Sequence, residues 1–172
     1  MLEKNKKLLL IVIIITIIVA LVLGYYESDY IVQLKIKYKS EKWEKFIRNK
    51  NVDEIYNIFC ERSKKDKGER IKEQLEEVFL KIDGDIKSID APELSFITVA
   101  RKNIKIIYYH LFITFYIKTN NGNKYMISFD YNYIWKDRPD FVGVDYIYFV
   151  GYNDLGEKID EQSIEIGEQY LY

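Results

Sequence analysis

Residues 104–135 read IKIIYYHLFITFYIKTNNGNKYMISFDYNYIW, two long runs of period two whose reading decides the fold class. In Ile104–Lys118, Ile106, Tyr108, His110, Phe112 and Tyr116 fall on one side, and Ile107, Tyr109, Leu111, Ile113, Phe115 and Ile117 on the other. Apolar groups on both sides predict a central strand. Thr119-Asn120-Asn121-Gly122-Asn123 predicts a hairpin loop with a glycine available for positive φ. The return run points Tyr125, Ile127, Phe129, Tyr131, Tyr133 and Trp135 one way and Ser128, Asp130 and Asn132 the other, which predicts one packed face and one wet face.

Working outward, short strands are expected at Asp85–Ile89 and Leu94–Ala100, separated by Ala91-Pro92, and a last one at Phe141–Tyr152 after the turn Lys136–Asp140. Before Gly84 the period is that of a helix. From Glu41, Trp43, Phe46 and Ile47 share a face opposite Lys42, Glu44, Lys45 and Arg48. Asn51, three residues before Glu54, predicts a capped second helix with Ile55, Tyr56, Ile58 and Phe59 as its apolar set. Ser63–Gly68 reads as a solvated run. A third helix from Glu69 to about Lys81 would bury Ile71, Leu75, Val78, Phe79 and Ile82, and Asp83-Gly84 would stop it. Helices first and a meandering antiparallel sheet afterwards define an α+β fold.

The N-terminal residues carry a different signal. Leu8–Leu23 hold 16 uncharged positions, and the run continues through Tyr26 to 19. A helix of that length rises about 28 Å, close to a hydrocarbon core of about 30 Å, and predicts a transmembrane signal anchor in the cell membrane. Lys4, Lys6 and Lys7 before the run and Glu27 and Asp29 after it orient the N-terminus to the cytoplasm and the remaining chain outside it. The competing form is a cleaved signal peptide, for which Val22-Leu23-Gly24 offers small residues, but the apolar region exceeds the usual length. Tyr25 stands where a lipid-accepting cysteine would be needed, so lipidation is not expected. The expected organisation is a basic stub over 1–7, an anchor over 8–24, a tether over 25–40 that could be strand or helix, a domain over 41–155 and an acidic tail over 156–172, read as a loosely held helix or a mobile segment.

Composition narrows the function. With 172 residues, 26 Lys plus Arg against 27 Asp plus Glu and a net charge of −1, nothing points to a nucleic-acid partner. A solitary Cys60 excludes an intramolecular disulfide framework and a Cys-clustered zinc site, and a single His110 removes most histidine-based metal constellations. No cofactor or metal is expected.

Phe46-Ile47-Arg48-Asn49-Lys50-Asn51-Val52-Asp53-Glu54-Ile55-Tyr56-Asn57-Ile58-Phe59 resembles the opening helix-turn-helix of the nuclear transport factor two-like superfamily. Together with Gly84-Asp85-Ile86-Lys87-Ser88, Tyr131-Asn132-Tyr133 and Asp140-Phe141-Val142-Gly143-Val144, it resembles a bacterial family known as domain of unknown function 5104, over roughly residues 41–155. The resemblance implies a cone: about three helices packed on a curved antiparallel sheet, with a cavity that relatives use for catalysis, ligand binding or dimerisation. It supplies no catalytic residues. Members are typically small exported lipoproteins, and this chain departs from them in lacking the lipid-accepting cysteine.

The candidate chemistry is modest. Asp130, on the polar side of its strand, is expected to meet solvent. His110 reads as a histidine satisfied within the sheet or at its surface, and Asp145 as no stronger a proton-transfer candidate. Among 16 Tyr, 9 Phe and two Trp, Tyr131, Tyr133, Trp135, Tyr146 and Tyr148 could line a ligand-binding concavity, although strands favour aromatics in any case. Lys64, Lys65 and Lys67 lack the glycine-rich cradle of a phosphate site. The expected function is non-catalytic binding of a small molecule or envelope protein at the cell envelope, with the lipid bilayer and a second copy of the chain as further partners. The alternative is a small cone-shaped isomerase, dehydratase or hydrolase acting on an apolar substrate.

Overall fold

The computed structural model describes residues 2–26, 29–103, 105–153 and 155–167, with the side chains of 2–8, 23, 25 and 26 excepted. Expectations that rest on the side chains of Lys4, Lys6 and Lys7, on Glu27 or on residues 168–172 lie outside what is described, as does Ile104, the expected first residue of the long strand.

Four helices come first: α1 (Leu2–Tyr26), α2 (Asp29–Arg48), α3 (Val52–Asn57) and α4 (Glu61–Lys81). The expected transmembrane helix is not met, because no helix among the described residues is long and apolar enough to cross a membrane.

In the segment left open between strand and helix, residues 29–40 are helical. In α2, Val32, Ile36, Ser40, Trp43 and Ile47 are buried at spacings of three and four, while Leu34 and Tyr38 are exposed. That is the stripe of a helix, and the alternation of Leu34 and Tyr38 with lysines has no structural counterpart. Helix α3 starts as its cap predicts: the Glu54 N–H donates to Asn51 Oδ1 at 3.1 Å. Helix α4 begins eight residues earlier than expected. Cys60 caps it, its Sγ accepting from the Ser63 N–H at 3.4 Å, and Lys64–Glu61 and Arg62–Asp66 pairs at 2.6 and 2.7 Å brace the first turns. The backbone leaves helical geometry at Lys67 (φ −141°, ψ 20°), beside Gly68, and Ile71, Leu75, Val78 and Phe79 are buried beyond the kink.

Six antiparallel strands follow: β1 (Ile86–Ile89), β2 (Glu93–Lys102), β3 (Lys105–Thr119), β4 (Lys124–Trp135), β5 (Gly143–Tyr152) and β6 (Lys158–Gly167). The path is β1-β3-β4-β5-β6, with β2 also paired to β3. The long β3 is central, as its two apolar faces predict. β1 and β2 divide one flank of it and β4 takes the other. The residues around the expected turn at Lys136–Asp140 include a 3-10 turn, Pro139–Phe141. Part of the acidic tail is corrected: β6 pairs with β5, and Ile164 and Ile166 are buried at a spacing of two. Of the tail acids, Glu165 is exposed between them and Asp160 and Glu161 are exposed before them, so the segment is an edge strand whose buried residues lie on one side.

The core lies between helices and sheet. Tyr109, Leu111, Ile113, Phe115 and Ile117 of β3 meet Trp43, Ile47, Ile71 and Leu75 there, joined by Phe129 and Phe149. Trp43 packs on Phe129 and Tyr131 with ring centroids 5.4 and 5.0 Å apart. Aromatic and aliphatic side chains fill this interior.

Candidate functional site

The five aromatic residues predicted as one ligand-binding set divide between the two faces of the sheet. Tyr131 and Tyr133 lie on the helix side, with ring centroids 6.1 Å apart and Tyr131 against Trp43. Trp135 would follow them by parity, but His110 pairs with Asn132 and Tyr109 with Ile134, so Tyr133 is an extra residue in a bulge. One inserted residue reverses the alternation beyond it. Trp135 therefore packs on Tyr108 and Phe141 on the opposite side, at 5.1 and 5.2 Å. Tyr146 and Tyr148 stand on that same side, cross-strand from Asp130 and Ser128.

On the helix side a cleft of about 410 Å³ opens between α2, the α3–α4 connection and the start of β5. Trp43, Phe46 and Tyr131 wall it, and Lys39 and Lys42 stand at its lip. Lys39 lies four residues before Trp43, which puts its stem on the same helical stripe. Its ammonium donates to the Tyr131 hydroxyl at 3.4 Å and sits 5.0 Å from the centre of the Tyr133 ring. Among the described residues it has no carboxylate partner, and partial burial lowers its pKa. Lys64, in contrast, is paired with Glu61. Burial also pushes the Tyr131 hydroxyl well above its ordinary value. The cleft wall is held by backbone: Cys60 N–H donates to Val144 O at 2.8 Å and Val144 N–H to Ile58 O at 2.9 Å.

The other face holds a buried polar cluster that alternation alone places in solvent. Asp130 is only 2% exposed and its Oδ1 meets His110 Nε2, itself in a residue 8% exposed. Cross-strand neighbours explain the correction. Phe112 and Tyr146 flank Asp130 in its own rung and remove it from water. Beside this pair, the Asn132 side-chain amide donates to Asp145 Oδ2 at 3.0 Å, with both residues wholly buried. Tyr108 stacks on His110, and burial, reinforced by Asp130 and Asp145, pushes its hydroxyl pKa up. His110 is thus paired with Asp130 and Asn132 with Asp145, so each of these four buried residues has a polar partner. Further along this face, β2 to β5 floor an open groove of about 590 Å³ containing Phe96, Phe112, Tyr116 and Tyr148.

Sequence reasoning missed Lys39, which was assigned to a tether, and Phe96. The signal for Lys39 was its spacing from Trp43. Phe96 carries no such signal, because its exposure follows from a bulge between Ser95 and Thr98. Among the described residues no group of three His, Cys, Asp or Glu side chains could hold a metal ion. Comparison with curated proteins finds no match. Residues 45–160, from α2 into β6, match the family described as Domain of unknown function (DUF5104), and the chain belongs to that family.

Proposed function

We propose that the chain is a binding module for a small amphipathic anion, a carboxylate on an aromatic or aliphatic body, seated in the cleft between α2 and β4. The order of helices followed by an antiparallel sheet supports placing the fold in the nuclear transport factor two-like superfamily. One observation carries the reading: the Lys39 ammonium rests on two tyrosines beside an aromatic wall, without a carboxylate among the described residues to neutralise it. A cation partly removed from water gains from an incoming anion, and Lys42 adds a second positive charge. Trp43, Phe46 and Tyr131 supply the apolar surface for the ligand body, and the volume suits a metabolite of modest size. The packed interior supports binding at this lip over chemistry on a substrate enclosed between helices and sheet.

The test is a fluorescence titration in a Trp135→Phe background, which leaves Trp43 as the sole tryptophan. Phenylacetate and decanoate are the probes, with phenylacetamide and decanamide as neutral controls. The acids are expected to bind about tenfold or more tighter than the amides, with Lys39→Gln removing the difference, since a charged hydrogen bond contributes about 1.5–3 kcal/mol. Equal affinity for acids and amides, or full affinity in Lys39→Gln, refutes the reading.

A further inference from the structure

The cleft between α2 and β4 is not uniformly positive. Among the described residues five charged side chains line it: Lys39 and Lys42 from α2, Glu54 from α3, and Glu61 and Lys64 from α4. Glu61 and Lys64 pair with each other at 2.6 Å and cancel. Glu54 is half-buried, its backbone N–H bonded to Asn51, and its carboxylate has no ion-pair partner among the described residues. Lys42 does not supply one, because its ammonium lies over the Phe46 ring, 5.4 Å from the centre. Backbone contacts fix where this acid stands. The chain reverses after α2, where the Asn51 N–H donates to Phe46 O at 2.9 Å, and the same Asn51 caps the turn that carries Glu54. Glu54 therefore belongs to the Phe46 end of the cleft. Lys39 lies seven residues before Phe46, two helical turns and a rise of about 10 Å. A cation and an acid thus stand about 10 Å apart in level, with Trp43 on the wall between them. Asn57, three residues after Glu54 and on the same side of α3, also lines the cleft and offers a side-chain amide.

Resting on the reading that Lys39 takes a carboxylate, we infer that the far end of the ligand carries an ammonium held by Glu54, so that the ligand is an extended zwitterion: a peptide of about three residues with both ends free. Three extended residues span about 10 Å, which matches the separation of the two charges. A free α-amino acid carries both charges on one carbon and cannot reach both ends. Apolar side chains of the peptide lie on Trp43, Phe46 and Tyr131, while the Asn57 amide both donates to and accepts from the peptide groups. Glu54 also sets specificity by repulsion, since a ligand with a second carboxylate at that end meets a like charge partly removed from water.

The test uses the same Trp135→Phe background and Trp43 fluorescence, at about pH 6.5, where a terminal amine of ordinary pKa near about 8 is charged. Trileucine, N-acetyltrileucine and leucine are the probes, and the acetylated peptide keeps the carboxylate while losing the ammonium. Trileucine is expected to bind about tenfold tighter than either of the others. Glu54→Gln is expected to bring trileucine down to the affinity of its acetylated form, and Lys39→Gln to weaken both peptides. An unchanged circular dichroism spectrum checks the fold of each variant. Equal affinity of the two peptides for the parent chain, leucine binding as tightly as trileucine, or a preference undiminished in Glu54→Gln would each overturn the zwitterion. In those cases Lys39-dependent binding of N-acetyltrileucine leaves the anion reading standing. Failure of both peptides to bind overturns the zwitterion as well, and the phenylacetate and decanoate titrations then decide whether the anion reading falls with it.

Discussion

Substitution of Gly143 by alanine tests how the cleft wall is built. Gly143 has φ +136°, and a Cβ there would lie 2.7 Å from Cys60 N, 2.8 Å from Cys60 Cα and 3.0 Å from Ile58 O. All three are backbone atoms, so no side chain can swing aside. The strand start cannot retreat without loosening the two hydrogen bonds between Val144 and the Ile58–Cys60 segment. Strained backbone at one residue costs about 1–3 kcal/mol, and weakening two hydrogen bonds adds about 0.5–1.5 kcal/mol each. A total near 3 kcal/mol lowers Tm by about 6–12 °C for a chain of this size. Gly122→Ala is the control. It has φ +89° in the hairpin loop, with nothing within 4 Å of where the alanine methyl group would sit, so only the left-handed penalty of about 1–2 kcal/mol applies. Differential scanning calorimetry of both variants separates conformation from close approach. An equal drop in Tm for the two would refute the argument that the Cys60 backbone closes on Gly143.

Removing the carboxylate of Asp130 leaves His110 Nε2 in the sheet without it. Asp130→Ala is expected to cost about 1–3 kcal/mol in urea unfolding, and a double-mutant cycle with His110→Ala should show coupling of about 1 kcal/mol or more. Additive effects would contradict the pairing. For Tyr131, burial raises the folded pKa above the ordinary 10.0, so the native state holds its proton where the unfolded chain has lost it. That contribution is fully present below pH 10 and is lost as pH rises toward the folded value. Tyr131→Phe is expected to flatten the alkaline fall of unfolding free energy by up to about 1.4 kcal/mol per pH unit between pH 10 and 12. A slope as steep as that of the wild type would refute it.

The parts of the fold legible in the sequence are those whose signal is local. The Asn51 cap places the start of α3, and the stripe Ile71, Leu75, Val78 and Phe79 is read from four side chains one turn apart. The expected break before Glu69 is visible too, as a kink at Lys67 inside a longer helix. What hid the first turns of α4 was composition. Ser63–Gly68 is charged enough to read as a loop, while a sulfur cap and two ion pairs stabilise it as helix. Of the expected aromatic set, Tyr131 and Tyr133 share one side of the sheet and Tyr131 lines the cleft, and Lys39 reaches both only because α2 extends back through the tether.

Period and punctuation alone determined that helices precede a sheet, that β3 is central and that Gly122 closes its hairpin, because each rests on residues adjacent along the chain. Which side chains share a face was decided by tertiary structure. A single extra residue at Tyr133 moves Trp135 to the other side of the sheet, and Phe112 and Tyr146, distant in sequence, bury an Asp130 that its own strand points at water. Strand register and bulges are set by pairing between segments, where one inserted residue reverses every side chain beyond it. No reading of one strand in isolation contains that information.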